Sequence, residues 1–180
     1  MIIFSGKTKE GKPYVIRHLE ARDTQMLMDY INILSLERTF ILRQGEQITL
    51  EEEKKFVRSQ LIKIKEQKAI FLVVEVENKI VGATQINLKE KVHGHVGHLG
   101  ISLTFGYRDQ GLGAKLLGVI IEHSKRELPS MKIIDLSVFA VNDRAKYLYE
   151  KFGFKEFGRL PKSIFYKNKY VDEIYMYREV

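Results

Sequence analysis

Arg108-Asp109-Gln110-Gly111-Leu112-Gly113-Ala114 lies between an extended apolar segment and a long helical one. Glycines let backbone amides come close to a phosphate, and a helix start adds unpaired N–H groups and the positive end of its dipole. Arg108 adds a cation. The stretch is a candidate anion cradle, or else a glycine-rich turn from strand to helix. Two better-known phosphate loops do not fit. Gly106 and Gly111 have P-loop spacing, but Leu112-Gly113 stands where Lys-Ser or Lys-Thr is needed. The dinucleotide fingerprint needs a further glycine where Leu116 stands.

A second segment runs from Val141 to Phe154. Ala145, Leu148, Tyr149 and Phe152 fall on one helical face. Tyr149 reads as a core aromatic with its hydroxyl at the rim, and Asn142 as a cap or turn residue. His93, His95 and His98 invite a metal reading. In a strand, however, His93 and His95 share a face and His98 takes the other. Gly94 and Gly97 favour a turn there, so no metal is expected. Phe165 to Tyr170 interleaves aromatics and bases as single-strand binders do, yet it reads more simply as a solvated hairpin turn. Glu51-Glu52-Glu53 makes a favourable negative first turn of a helix, with a second reading as an attractor for a cationic amine.

The elements that must position these residues follow from periodicity. Pro13 to Leu19 reads as an opening strand. Asp23 reads as the N-cap of a helix carrying Leu27, Tyr30, Ile31 and Leu34. Thr49 and Glu52 fit a capping box, opening a helix through Phe56, Gln60 and Ile64. Ala69 to Val76 is a β-branched strand, Asn78-Lys79 a turn, and Ile80 to Leu88 the hairpin partner. Gly94 and Gly97 mark a second turn before a strand from Leu99 to Phe105. An amphipathic helix spans Gln110 to Glu127 and ends at Pro129. Met131 to Val138 is a strand and Asp143 to Phe152 a short helix, with Gly153 as its break. Strands from Phe154 onward and from Tyr170 to Tyr177 close the chain. The order β-α-α-β-β-β-α-β-α-β-β predicts a mixed sheet with helices, α/β (α+β) in class, in one domain over residues 1–180.

Composition narrows the function. The chain has 180 residues, 44% of them hydrophobic, enough for a core without disulfide or metal staples. It has no cysteine, which excludes disulfides, thiolate metal sites and a cysteine nucleophile. Met1 to Lys7 lacks the basic region of a signal peptide, and no apolar run is long enough to span a membrane. A cytoplasmic protein is expected. Thirty basic against 23 acidic residues give a net charge of +7, which draws polyanions or a phosphorylated cofactor. The charges are interleaved, with no clustered basic arm for nucleic acid.

Taken together, an Arg-x-x-Gly-x-Gly turn into a helix, an apolar strand, and Asn-x-x-Ala-x-x-Leu-Tyr-x-x-x-Gly-Phe closely resemble the GNAT family of N-acetyltransferases. The element order matches that family over essentially the whole chain. The resemblance implies a mainly antiparallel mixed sheet and acetyl-CoA as cosubstrate. It implies that Arg108, Asp109, Gln110, Gly111, Leu112, Gly113 and Ala114 cradle the pyrophosphate. Ile101, Ser102 and Leu103 would pair with the pantetheine arm, and Asn142 would contact that arm. The thioester would enter where this strand and the next, Ile133 to Val138, splay apart. Tyr149 would protonate the departing thiolate. An amine attacks directly in a ternary complex, so no covalent nucleophile is needed. Several family members place a glutamate base where this chain has His98, and others where it has Ser137. His98, with an ordinary pKa of about 6.5, is the candidate base. The implied acceptor is the primary amine of a small molecule or a protein N-terminus. No nucleic acid, membrane or metal is expected, and a homodimer is left open. A non-catalytic acyl-CoA-binding or regulatory module is the alternative, and a basic nucleic-acid-binding domain a third reading. Tyr149 favours the enzyme.

Overall fold

The computed structural model describes residues 1–180. The chain forms two compact units, the first Met1–Asn87 with Gly100–Pro129, the second Leu88–Leu99 with Ser130–Val180.

In the first unit, strands β1 (Ile2–Lys7) and β2 (Pro13–His18) pair antiparallel, and β2 pairs with β3 (Ala69–Val76). Strand β3 pairs with β4 (Lys79–Leu88) through a turn at Glu77 and Asn78, both at positive φ (49° and 60°). That turn falls one residue earlier than expected. Strand β1 was not legible beforehand: it is an edge strand bonded to β2 and has weak apolar alternation. Helices α1 (Thr24–Leu36) and α2 (Leu50–Lys65) cover one face of β3 and β4. There Leu27, Tyr30, Leu34 and Val57 pack with Phe71, Val73 and Ala83. Helix α3 (Leu112–Glu127) buries the apolar stripe Leu112, Leu116, Leu117, Ile120 and Ile121.

The capping box at α2 forms as expected: Glu52 N–H donates to Thr49 Oγ1 (3.3 Å) and Thr49 N–H to Glu52 Oε2 (2.7 Å). Asp23 precedes α1, but its carboxylate makes no cap. It instead accepts from both terminal nitrogens of Arg17 (2.6 and 2.7 Å) and from the Glu20 amide (2.8 Å).

The second unit contains the start of β5 (Val96–Leu103), β6 (Ile133–Phe139), α4 (Asp143–Lys151) and the hairpin β7 (Lys155–Tyr166) and β8 (Lys169–Glu179). Strands β5 and β6 are parallel over Val96–Ile133, Gly97–Ile134 and His98–Asp135. Strand β6 pairs antiparallel with β8, and β8 with β7. Gly97 is inside β5 and not in a turn. The turn lies earlier, at Lys91–Gly94, so β5 begins at Val96. Gly153, at φ +82°, closes α4 as expected. The strands run in the order β1-β2-β3-β4-β5-β6-β8-β7 in a mixed, mainly antiparallel sheet, and the α/β class read from the sequence holds.

Candidate functional site

Ile101, Ser102, Leu103 and the Arg108–Ala114 turn belong to the first unit. The end of β5 there is fixed from the α1 side. Tyr30 Oη donates to the Ser102 carbonyl (2.8 Å) and lies 2.7 Å from Ser102 Oγ. Burial raises the pKa of Tyr30, so it remains a neutral donor. Beneath the strand, a Cβ on Gly82 would meet Leu103 Cδ2 at 2.3 Å, so the missing side chain is what leaves room for Leu103 in this rotamer.

Arg108 closes this end of the strand. Its Nε donates to the Leu103 carbonyl (2.9 Å), and its guanidinium pairs with Glu37 at the end of α1. The other Glu37 oxygen accepts from the Phe105 amide (2.8 Å). The cation offered by the sequence to a phosphate is therefore matched by a carboxylate, and it braces the turn. Asp109 sits at φ +64° and its carbonyl accepts from Lys9 Nζ (2.6 Å). Gln110 Nε2 donates to the Gly106 carbonyl (2.8 Å).

Gly111, at φ +80°, precedes α3. A Cβ there would meet nothing within 4 Å, so the left-handed backbone, and not crowding, demands glycine. Gly113 carries no such positive φ. No side chain caps the first turn of α3, which leaves the Leu112, Gly113 and Ala114 amides as donors at the positive end of the helix. The Leu112 side chain is core, so this residue can offer a ligand only its backbone.

His98, Asn142 and Tyr149 belong to the second unit. Asn142 Oδ1 accepts from the Ala145 amide (3.2 Å), an N-cap for α4. Tyr149 is buried on α4, edge-on to Phe154 with ring centroids 5.8 Å apart. Burial pushes its hydroxyl up to about 12.

His98 Nδ1 lies 2.7 Å from Asp135 Oδ1, and the other Asp135 oxygen pairs with Lys89. Burial pushes the Asp135 carboxyl up, but the hydrogen bonds from His98 and Lys89 outweigh it and hold the group below the usual aspartate value. His98 keeps 55% of its side chain exposed. Sequence reasoning missed Asp135. Its signal was a lone acid inside an apolar strand, but only the parallel register brings it opposite His98. Ser137, on the same face of β6 as Asp135, is set opposite Tyr175 of β8. His93 ends a short 3-10 turn, while the His95 carbonyl accepts from the Lys132 amide (2.8 Å). No helix is long and apolar enough to cross a membrane.

Residues 31–154 match the family model described as the acetyltransferase (GNAT) family. An uncharacterised N-acetyltransferase derived from the SPbeta prophage of Bacillus subtilis is 30% identical over 104 residues, 58% of each chain. The L-amino acid N-acetyltransferase AaaT of Escherichia coli is 30% identical over 108 residues, 59% of this chain and 66% of that one. The chain thus matches less than two thirds of the length of these curated relatives. The crystal structure of a GNAT-family acetyltransferase from Streptococcus pneumoniae superposes with a TM-score of 0.84 at 28% identity, covering 93% of this chain and 99% of that one. The ribosomal L7/L12 α-N-protein acetyltransferase RimL, in complex with coenzyme A, shares the fold with a TM-score of 0.79 at 15% identity, covering 100% and 98% of the two chains.

Proposed function

We propose that this chain, which belongs to the acetyltransferase (GNAT) family, transfers an acetyl group from acetyl-CoA directly to a primary amine. The observation that carries this reading is the start of α3. A positive-φ glycine turns the chain into a helix whose first amides have no side-chain cap, in the segment that resembles the family's pyrophosphate cradle. Helix N-termini of this kind bind phosphates through backbone donors and the helix dipole together.

In this reading the amides of Leu112, Gly113 and Ala114 hold the pyrophosphate, with Asp109, Gln110 and Gly111 forming the turn. Arg108 acts by bracing that turn against Glu37 and Leu103. Ile101, Ser102 and Leu103 offer backbone groups to the pantetheine arm, and Asn142 offers its amide nitrogen. The cosubstrate supplies the activated thioester.

His98 is the proposed base. A carboxylate beside Nδ1 fixes the ring and favours a proton there, leaving Nε2 to take the proton of the attacking amine. Tyr149 is the proposed partner of the departing sulfur. With its hydroxyl at about 12, it lies above an ordinary thiol, near 8.5. It therefore stabilises the thiolate by donating a hydrogen bond, and tyrosinate does not accumulate. The acceptor is the amine of a small molecule or a protein N-terminus, the classes that AaaT and RimL carry in their names.

The test is a melting shift with acetyl-CoA followed by CoA release across a panel of amines. Wild type should gain about 2.7 kcal/mol at a hundredfold excess over the dissociation constant. Gly113→Val, placed where no left-handed backbone confuses the result, should fold and lose most of that shift. A wild-type protein that shows no shift sinks the reading. A shift without CoA release for any amine would make the chain an acyl-CoA-binding module.

A further inference from the structure

The turn offered to the pyrophosphate is poor in free positive charge. Arg108, the cation of the motif, is paired with Glu37, and its Nε donates to the Leu103 carbonyl. The uncapped amides of α3 and the helix dipole together amount to only about half an elementary charge. A pyrophosphate calls for more, and the fold brings it from a distant part of the chain.

Strands β1 and β2 are joined by a turn that ties itself. Thr8 N–H donates to the Lys12 carbonyl (2.8 Å), Gly11 N–H to the Thr8 carbonyl (2.9 Å) and Lys12 N–H to Thr8 Oγ1 (3.2 Å), with Thr8 buried. Two residues of this turn reach the Arg108–Ala114 segment. Lys9 Nζ donates to the Asp109 carbonyl (2.6 Å), 100 residues away in sequence, and Glu10 Oε1 accepts from Gln110 Nε2 (3.4 Å). Lys12 is paired with Glu77, whereas Lys9 is exposed and has no carboxylate partner.

A second lysine stands on α3 itself. The positive end of a helix favours acids, and α2 shows the ordinary arrangement, with Glu51, Glu52 and Glu53 in its first turn and Lys63 and Lys65 in its last. Helix α3 has no acid in its first turn, and Lys115 follows Leu112, Gly113 and Ala114. Lys115 is exposed, and its Nζ lies 4.2 Å from the centre of the Phe4 ring on β1, which directs it toward the same hairpin. Each ammonium group is unfavourable beside the positive end of α3 alone and becomes favourable once an anion is bound there.

We propose that the β1–β2 turn is part of the cosubstrate site, and that Lys9 and Lys115 supply the positive charge for the phosphates of acetyl-CoA in the place that Arg108 leaves. This inference rests on the acetyltransferase reading and extends it to a strand pair outside the motif. A lysine is a compact charge on a flexible stem, so Lys9 can pass from the Asp109 carbonyl to a phosphate oxygen while Thr8 keeps the turn in place. Acetyl-CoA carries such oxygens on its pyrophosphate and on its ribose.

The experiment titrates acetyl-CoA, and dephospho-acetyl-CoA without the ribose phosphate, into folded protein at several salt concentrations. Wild-type affinity should fall as salt rises, because the lysines are exposed. Lys9→Gln and Lys115→Gln should each weaken acetyl-CoA about three- to tenfold and flatten that salt dependence. Lys63→Gln removes the same charge from the far end of α2 and should leave the affinity unchanged. A variant that loses the same factor for both compounds places its lysine on the pyrophosphate. A variant that loses it for acetyl-CoA alone places its lysine on the ribose phosphate. Wild-type affinity and salt slope in both lysine variants overturn the inference, and so does an equal loss in Lys63→Gln, which would reduce the effect to net charge. A wild-type protein that binds neither compound sinks the acetyltransferase reading first, and this inference with it.

Discussion

Two buried polar clusters in the first unit differ in one respect. Around Arg17 every charge is answered. Its side chain is 5% exposed, that of Asp23 0%, and its nitrogens reach both Asp23 oxygens, Glu75 (2.8 Å from Nε) and the His18 carbonyl (3.1 Å). Between α2 and β4, by contrast, Glu53, Gln60, Gln85 and Asn87 each leave an oxygen unanswered. The first cluster is closed, and nothing further can bind to it without breaking it. The second is open, and its unpaired oxygens carry an energetic deficit. Burial of polar groups therefore does not by itself mark a site, whereas burial without partners calls for a cause.

The closed cluster gives the largest expected effect. Removing Asp23 leaves the buried Arg17 guanidinium with only the less buried Glu75 as its counter-charge, at a cost of up to about 3–5 kcal/mol. Asp23→Ala should lower the melting temperature accordingly, and any protein that still folds should bind acetyl-CoA normally. A folded Asp23→Ala variant of wild-type stability that had lost acetyl-CoA binding would assign the closed cluster to the site instead of the fold.

The open cluster should respond with the opposite sign. Glu53 holds its proton up to about 7, against 4.5 for the unperturbed group. Its folded pKa is raised, so the stability it contributes is present at acidic pH and is lost as pH climbs through that window. The difference corresponds to on the order of 3 kcal/mol by linkage. Glu53→Gln should therefore be more stable than wild type at pH 8 and much less distinct at pH 5, as read by urea midpoints. Equal gains at both pH values would mean that the carboxyl is not desolvated.

How much of this was legible depended on range. The Thr49–Glu52 box, the Gly111 turn and Asn142 as a cap are local and were read correctly in kind. Asp23 looked like a cap because the Arg17 guanidinium that takes its carboxylate meets it only through the fold. Gln85 and Asn87 alternate with apolar neighbours inside a hairpin strand, and nothing in that alternation singled them out. In the structure α1 and α2 cover their face, and a period of two cannot say which face a helix will choose. Asp135 was invisible because register, not sequence, places it beside His98.

His98 and Asp135, in the second unit, are an intermediate case. Asp135 is answered on both oxygens, whereas the exposed histidine has its other ring nitrogen to offer. A positioned base contributes about 10²-fold or more, and water recovers part of that when the base is lost. With one acceptor amine throughout, His98→Gln should lower the rate by up to about that factor. Asp135→Asn keeps the imidazole but loses the carboxylate that orients its ring, so it should lower the rate by less than His98→Gln does. A His98→Gln enzyme of unchanged rate would leave water as the base and reduce the pair to a surface contact.

The smallest effect separates two neighbours in one run of glutamates. Glu52 is exposed and satisfied by Thr49, whose amide and hydroxyl hold its carboxyl below the ordinary value. A depressed pKa contributes stability above the unfolded value that is lost as pH falls, the reverse of Glu53. Thr49→Ala should cost about 1 kcal/mol near neutral pH, the usual value of a helix cap, with the urea slope unchanged. The loss should shrink as the solution is acidified and Glu52 takes up its proton, while the gain from Glu53→Gln shrinks over the same descent for the opposite reason. If Thr49→Ala cost the same at pH 3 as at pH 8, the hydroxyl alone would be the cap. Glu52 would then be an ordinary surface charge, and the contrast between adjacent glutamates would rest on Glu53 alone.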